Sequence, residues 1–260
     1  MGTTTKTLKL LDLISAERPE LGLTQFVRLS GYDKATTHRR LTELVTAGFL
    51  EKDADSKRYR LGSAILRLAN VREQTFPKRE AARRILQNLS SAVCETVHLS
   101  VFQNDNGLTT LVHIDDVTHS NRISIEPGEV LPFHATASGL VFLAFSAPEV
   151  ADGILARALP KLCDDTVVDP EQIREQTATF RKKGFGAANG TYEAGVYGLS
   201  APVFEAGERC VGGVAVATPT SRITPELKAA IQVHLKKTAI EISHAWGGDI
   251  PQDLLEIWNV

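Results

Sequence analysis

The sequence predicts a multidomain α/β protein, in which a small helical domain with a β-hairpin precedes a larger α+β domain. Three observations predict this class. Residues 24–62 combine two capped helical patterns with a hairpin pattern, residues 65–80 continue as a helix, and residues 96–247 pass from strands to helices and back. The 260 residues suffice for two ordinary domains, and 43% hydrophobic with 23% charged content is normal for a soluble globular protein.

The first domain begins with a predicted helix from Thr5 to Ala16, whose leucine and isoleucine side chains recur at helical spacing. A second, short helix is predicted to have Thr24 as its N-cap and to end at Gly31, where a positive φ is expected. Asp33 is predicted to cap a third helix, from about Lys34 to Ala47. A turn of three to four residues between two helices is typical of a pair that reads DNA.

The third helix carries basic and hydroxyl side chains on its first two turns, where a recognition helix meets base edges. Residues 49–61 then predict a hairpin, or wing, whose basic return arm would bind phosphate. A solvated basic surface is the alternative interpretation. The predicted DNA contacts are Lys34, Ala35, Thr36, Thr37, Arg39, Arg40, Lys57 and Arg58, with Lys34, Thr36 and Arg39 as the best candidates for base contacts.

Charge is distributed unevenly along the chain. The net charge is -2, but residues 1–75 carry 13 Lys and Arg against 9 Asp and Glu, a balance of +4, and the remaining 16 against 22 give -6. A mildly basic head on an acidic body fits a small DNA-binding module attached to another domain. Because the basic excess is modest, we expect specific affinity for DNA to need two copies of the head.

Three cysteines, Cys94, Cys163 and Cys210, lie far apart, so no disulfide framework is predicted. We expect core thiols in a reduced, cytoplasmic setting. No stretch resembles a signal peptide, and no run approaches the ~20 apolar residues of a membrane-spanning helix. The sequence therefore predicts a soluble protein without a membrane partner.

The second domain follows a helical linker, predicted for residues 65–80, in which Pro77 separates two helices. The predicted domain bounds are 1–64, 65–80 for the linker, 81–248, and 249–260 for a C-terminal tail. Strands are predicted at Thr96–Phe102, Thr109–His113, Arg122–Ile125, Val196–Phe204 and Val211–Ala217. Helices are predicted at Lys78–Ala92, Thr136–Phe145, Pro148–Leu159, Pro170–Lys183 and from Thr224 to near Gly247.

Cys94 and His98 are four residues apart, a spacing that could supply two metal ligands on a helix. The segment is predicted to be a strand, however, and no CxxC or HExxH spacing completes a zinc site. We therefore predict no metal site and no cofactor, with His98, His113 and His134 as hydrogen-bonded core histidines. No Gly-rich phosphate loop follows a strand, and the sequence predicts no enzyme activity.

The segments LPFHATASG (131–139), GFGAANGTYEAGVYGLSAPVFEAGE (184–208) and VAVATPTSRIT (214–224) resemble the IclR family of bacterial transcription regulators. The segments GYDKATTHRRLTELVTAGFLEKDADSKRYRLG (31–62) and ETVHLSV (95–101) are similar to its recognition helix with wing and to its first effector-domain strand. The likeness is collinear over nearly the whole length. It implies a winged helix-turn-helix, a GAF-like (profilin-like) effector-binding domain, homodimers or dimers of dimers, and palindromic double-stranded DNA operators.

The resemblance also implies an effector pocket. Its residues here are Leu131, Ala137, Ser138, Ala188, Asn189, Val196, Gly198, Ala215 and Ala217. Family members that bind glyoxylate or pyruvate have an acid at the place of Ala188, a cysteine at Gly198, and serines at Ala215 and Ala217. Because those polar groups are missing, we expect a larger, partly apolar organic acid, such as an aromatic catabolite, held by N–H groups at the start of the Thr136 helix.

Other polar candidates near the pocket are Tyr192, Glu193 and Tyr197, although Glu193 would disfavour an anion. Three functions remain open. A ligand-controlled transcription regulator is the preferred hypothesis. The alternatives are a metabolite-processing enzyme with an accessory winged-helix module, and a constitutive DNA-binding protein with a vestigial sensor.

Overall fold

The computed structural model describes residues 2–15, 18–75, 77–104, 106–115, 117–126 and 128–260. The chain divides into two compact units, Met1–Pro77 and Lys78–Val260, and this division falls inside the linker predicted at 65–80. Each unit has its own hydrophobic core. The two-part class predicted from the sequence, helices with a wing followed by an α+β domain, is confirmed.

The first unit is a helical bundle with a two-stranded wing. Its elements are α1 (Thr3–Leu8), a 3-10 turn (Leu11–Leu13), α2 (Leu23–Ser30), α3 (Lys34–Thr46), β1 (Leu50–Lys52), β2 (Tyr59–Leu61) and α4 (Ser63–Thr75). Phe26 of α2 meets Tyr59 of the wing edge to face, with ring centroids 5.9 Å apart. Leu41 and Leu44 of α3 are buried in the same core, so one face of α3 is fixed against the bundle.

Two predicted helix boundaries are wrong in detail. The helix predicted at Thr5–Ala16 ends at Leu8 and gives way to a 3-10 turn, while Ala16 lies outside the described residues. The second helix begins one residue before Thr24, because Gly22 is its N-cap and Gln25 Oε1 accepts a hydrogen bond from Gly22 N at 2.9 Å. The Gln25 side chain reaches back to the cap, so Thr24 is a residue of the first turn.

The turn before α3 has the predicted chemistry. Gly31, with φ 71°, ends α2 in the left-handed region, where glycine pays no Cβ penalty. Asp33 Oδ1 accepts a hydrogen bond from Thr36 N at 2.8 Å, and this bond lowers the pKa of the Asp33 carboxyl. Asp33 therefore caps α3 as expected and fixes the direction in which its first turn emerges.

The second unit is built on a six-stranded sheet whose neighbouring strands pair antiparallel in the order β5-β4-β3-β8-β7-β6. Its strands are β3 (Thr96–Asn104), β4 (Gly107–Ile114), β5 (Val130–Leu131), β6 (Gly186–Asn189), β7 (Val196–Glu205) and β8 (Arg209–Pro219). Its helices are α5 (Lys78–Val93), α6 (Ala137–Phe145), α7 (Pro148–Leu155), α8 (Pro170–Lys183), α9 (Pro225–Ala245) and α10 (Gln252–Trp258). Helices α5 and α9 pack together on one face of the sheet, and α6 packs on the other.

Helix α6 lies very close to the sheet, and all nine of its residues are buried. Glycines on β6 and β8 make this approach possible. A Cβ at Gly186 would lie 2.8 Å from Ala137 O, and a Cβ at Gly213 would lie 2.9 Å from Val141 Cγ1. The helix is therefore held close against β6 and β8.

Several predicted elements differ from the structure. The strand expected at Arg122–Ile125 is a loop, because Ile123 O bonds the side chain of Thr96 at 2.7 Å and does not join a ladder. The helix predicted at Pro148–Leu159 ends at Leu155. Strand β6 was not predicted. The predicted tail 249–260 contains α10, which buries Leu254 and Trp258 in the core.

Candidate DNA-binding surface and ligand pocket

Helix α3 exposes one face to solvent in its N-terminal half. Five residues at helical spacing are exposed on it: Lys34, Ala35, His38, Arg39 and Thr42. Thr36 is half-buried beside them. His38 and Thr42 were not predicted, although steps of four residues from Lys34 place them on the same side of a helix. The surface therefore offers hydrogen-bond donors and a threonine methyl, which are groups that contact base edges.

Two predicted DNA contacts do not lie on this face. Thr37 is completely buried, and its Oγ1 donates to Asp33 O at 2.8 Å. Arg40 is 6% exposed, and its guanidinium lies 4.5 Å from the centroid of the Tyr32 ring. Because both side chains are covered by their own domain, the structure contradicts their assignment to a groove-contacting surface. Thr37 and Arg40 share the first two turns with the exposed residues but lie on the opposite face of the helix, so position along the helix does not distinguish them.

The wing presents basic side chains that already have partners. Lys57, at φ 58°, donates from Nζ to Ala54 O at 2.5 Å, and Arg58 donates to Glu20 O at 2.7 Å. Arg60, which was not among the predicted contacts, lies 3.2 Å from a carboxylate oxygen of Glu51. These pairs are solvent-exposed, so they are weak and a phosphate could replace them.

A cavity of ≈ 80 Å³ lies between the sheet and the first turn of α6. This volume is well above the ~10–15 Å³ that one water needs, so the cavity has room for a small organic molecule. Its floor is formed by two neighbouring rows on one face of the sheet, because His98 pairs with Ala215 in one row, and Gly198 pairs with both Ala217 and Ala188 in the next. Paired residues of antiparallel strands face the same side of a sheet.

Most of the predicted pocket residues meet at this cavity. The eight that line it are Leu131, Ala137, Ser138, Ala188, Val196, Gly198, Ala215 and Ala217. Asn189 does not, because it follows Ala188 on β6 and successive strand residues face opposite sides. Tyr197, between Val196 and Gly198, is excluded for the same reason, and Lys228 Nζ lies 5.6 Å from its ring centroid.

His98 is a pocket residue that the sequence did not assign. It is buried, its Nε2 lies 3.2 Å from Ser138 Oγ, and its Nδ1 has no hydrogen-bond partner. Burial, with a smaller contribution from His113, lowers the pKa of His98 to about 4. The expectation of a hydrogen-bonded core histidine is therefore half correct. Its place on the pocket face could have been found from strand alternation, since residues 96, 98 and 100 share one side.

The mouth of the pocket is polar and carries acidic side chains. Tyr192 OH donates to Glu129 Oε1 at 2.6 Å, and burial together with this bond raises the pKa of Tyr192. Glu193, which is exposed, also lines the cavity. Among the described lining residues, none is Lys or Arg. The pocket therefore has no permanently charged cation on its described walls.

Positive potential in the pocket comes from the start of α6. Thr136 is the N-cap, because its Oγ1 accepts a hydrogen bond from Gly139 N at 3.1 Å. Ala137 and Ser138 line the cavity from the first turn, whose N–H groups have no partner inside the helix. Such a helix start favours negative groups such as carboxylates.

A loop fastened by side chains forms another wall. Ile123, Ser124 and Ile125 line the cavity. Arg222 bonds the Glu95 carboxylate with contacts of 2.6 and 2.7 Å and donates to Asn121 O at 3.0 Å. Because Glu95 is fully buried, this pair anchors the loop to the start of β3.

Within the part of the chain that is described, no group of three or more His, Cys, Asp or Glu could hold a metal ion, and no helix is long and apolar enough to cross a membrane.

The prediction of core thiols holds for Cys210, whose burial raises the thiol pKa to about 12, but Cys94 is exposed and Cys163 is half-buried. Cys94 follows the end of α5 with φ 52°, at a turn and not in the core.

Comparison with known proteins gives consistent matches along the chain. Residues 74–244 match the family model "Bacterial transcriptional regulator IclR C-terminal", and residues 3–54 match the IclR helix-turn-helix domain. The transcriptional repressor IclR of Escherichia coli K12 is 27% identical over 245 residues, which cover 94% of this chain and 89% of that protein.

Two solved structures are similar over nearly their whole lengths. An IclR transcriptional regulator from Silicibacter sp. TM1040 is 39% identical, with a TM-score of 0.89, and the match covers 97% of this chain and 99% of that one. An IclR homologue from Microbacterium hydrocarbonoxydans, solved in complex with 4-hydroxybenzoate, is 25% identical, with a TM-score of 0.75 and coverage of 94% and 98%.

Proposed function

Because the chain belongs to the IclR family of bacterial transcription regulators, we propose that it controls catabolic genes by binding a palindromic operator in response to a small organic acid. Its relatives are named transcriptional repressors and regulators, and the chain is a DNA-binding regulator and not an enzyme. The observation that carries the proposal is the cavity lined by the first turn of α6, in a chain that also exposes the N-terminal face of α3.

The proposed DNA contacts are those predicted residues that remain at the surface, with the two exposed neighbours that complete the face. They are Lys34, Ala35, Thr36, His38, Arg39 and Thr42 in the groove, and Lys57 and Arg58 on phosphate. Arg58 of the wing is partly neutralised by Glu20, because Arg58 Nε lies 3.9 Å from a carboxylate oxygen of Glu20. One head therefore offers few free charges, and binding by two heads of a homodimer, or of a dimer of dimers, supplies the missing affinity.

The proposed effector is an organic acid larger or more apolar than glyoxylate or pyruvate. The α6 start supports an acid, and the floor formed by Ala188, Ala215 and Ala217 supports an apolar body. A homologue with 25% identity was solved with 4-hydroxybenzoate, an acid of this kind. Gly198 adds little room, since a Cβ there would already lie 3.1 Å from Ala137 Cβ.

Effector binding is proposed to change the spacing or angle of two paired heads and so their fit to half-sites ~34 Å apart. The test is a gel-shift series on the promoter beside the protein's own gene, with and without aromatic acids and across salt concentrations. A change of operator affinity with one acid supports the proposal. A constitutive DNA-binding protein would show the same affinity with every acid.

The Ala188→Asp variant separates the two functions of the chain. The new side chain would fill part of the cavity floor and place a charge where the apolar body of the ligand is proposed to lie, so we expect a loss of effector response with unchanged DNA binding in the absence of ligand. Asn189→Asp, one residue along the strand and facing away from the cavity, is the matched control. Equal effects of the two substitutions on the response would contradict the assignment of the cavity as the effector site.

A further inference from the structure

His98 is the part of the cavity wall whose role the proposed function leaves open. Its side chain is 7% exposed, its Nε2 lies 3.2 Å from Ser138 Oγ, and its Nδ1 is buried without a hydrogen-bond partner. A buried polar atom without a partner is costly and is usually satisfied by water or a ligand. His98 is also among the residues that line the cavity.

The surroundings of His98 supply no permanent cation. On the neighbouring elements, β8 presents Ala215 in register with it, and α6 presents Ser138, neither of which titrates in this range. The titratable groups that face this region are His113, in register on β4, and Glu129, Tyr192 and Glu193 on the pocket loops. Within the described lining, His98 is thus the side chain that can become positively charged.

We propose that the pocket binds a monocarboxylate together with one proton, which His98 Nδ1 takes from solvent and donates as a hydrogen bond to the ligand carboxylate. The inference rests on the proposed function, because it assigns the acid group of the effector to one wall of the same cavity. Nε2 stays bonded to Ser138, so protonation adds one N–H bond at Nδ1 and breaks none in the protein. The charge-assisted bond that results is stronger than one between neutral partners.

The acidic side chains at the mouth restrict the ligand to one carboxylate. Glu129 is already engaged by Tyr192 OH at 2.6 Å, and Glu193 is exposed beside it. A second carboxylate on the ligand would lie among these negative charges without a counter-ion. We therefore infer selection against dicarboxylates, whereas a neutral hydroxyl at that end of the ligand could donate to Glu129.

Proton uptake gives effector affinity a defined pH dependence. The pKa of His98 is about 4 in the free protein, because the ring is buried and close to His113. A bound carboxylate raises it, since an opposite charge in a poorly hydrated site favours the charged form. Between the two pKa values the ring gains a proton on binding, so affinity falls about tenfold for each unit of rising pH. Below the free pKa the ring is charged in both states and this dependence disappears.

The test is isothermal titration calorimetry of the full chain with 4-hydroxybenzoate, benzoate and terephthalate near pH 6, in buffers of different ionisation enthalpy. 4-Hydroxybenzoate and benzoate are expected to bind with uptake of close to one proton. This number is measured from the dependence of the binding enthalpy on the ionisation enthalpy of the buffer. Terephthalate, a dicarboxylate of similar size, is expected to bind at least about tenfold more weakly than benzoate.

The His98→Gln variant keeps a polar group near Ser138 but cannot titrate. It is expected to lose the proton uptake and the pH dependence while retaining operator binding, which shows that it is folded. His113→Gln, on the adjacent strand, is the matched control and should retain the uptake.

Two results would overturn the inference while the effector class stands: tight monocarboxylate binding without proton uptake, and uptake that persists in His98→Gln. Failure of both monocarboxylates to bind would remove the effector class and the proton coupling together. Operator binding, measured separately, would still identify the protein as a regulator.

Discussion

At the scale of single residues, Arg39 and Arg40 are adjacent in the chain and have opposite environments. Arg39 is exposed and makes one ion pair, 3.4 Å from Glu43. Arg40 is buried against Tyr32, and its Nε and Nη1 have no hydrogen-bond partner. An exposed ion pair contributes little to stability, so the Arg39 guanidinium is available to DNA, whereas Arg40 serves the packing of the head.

This difference predicts separate effects of the same substitution at the two positions. Arg39→Met should cost ~1–3 kcal/mol of specific operator binding and relax base preference at one position of each half-site. Arg40→Met should leave the discrimination between operator sequences unchanged. It should alter the free energy of unfolding by no more than about 1 kcal/mol, because the lost cation–π contact is offset by removal of a poorly bonded buried charge. Fluorescence anisotropy on wild-type and mutated operators, with thermal unfolding, measures both effects. Loss of discrimination in Arg40→Met would contradict the assignment of the reading face.

The pocket shows why residue-level prediction succeeded and where it stopped. Leu131, Ala215 and Ala217 were found because the resemblance carries positions collinearly, and strand register then brings them together. Asn189 was wrongly included because a one-residue step on a strand reverses the face. Strand alternation places His98 on the pocket face, but its contact with Ser138 spans 40 residues of sequence and is not contained in any local pattern.

At the scale of elements, local chemistry predicted those helix starts that have a side-chain cap, and tertiary contacts determined much of the rest. Asp33, Thr136 and Thr224 cap their helices through their own side chains, and the predicted helix starts lie at or beside these residues. Strand β6 has four small or polar residues and forms only because β7 pairs with it. Helix α10 is seven residues long, too short to be stable alone, and depends on its packing against the core.

The packing of α10 predicts that residues 249–260 stabilise the second unit. Trp258 is 3% exposed and packs on Phe185, with ring centroids 5.7 Å apart. Trp258→Ala should therefore lower the free energy of unfolding by ~3–5 kcal/mol, as expected for a buried aromatic side chain. Ile257→Ala, at a neighbouring position that is 38% exposed, should cost far less. Urea denaturation followed by circular dichroism measures both, and equal small losses would show that the segment is a tail after all.

At the scale of the whole molecule, the distribution of charge and apolar surface supports the proposed pairing of two copies of the chain. The head has a surplus of only four positive charges in residues 1–75, and the wing arginines are partly neutralised by Glu20 and Glu51. Helix α4 exposes Leu68 and Val71, three residues apart on one face, with 44% and 52% of their surface accessible. Burial of this face against a second copy would pair two heads and double the number of phosphate contacts.

The double variant Leu68→Glu/Val71→Glu tests this pairing. Negative charges on both copies of the face would repel, so we expect a shift toward monomer in analytical ultracentrifugation and a loss of operator affinity of at least about tenfold, with a shallower salt dependence. Val233→Glu, on an α9 position that is 57% exposed, controls for the added charge and should not produce monomers. If the double variant remains dimeric and binds the operator normally, α4 does not pair the heads. The additional affinity for a palindromic site would then have to come from contacts made by the second unit alone.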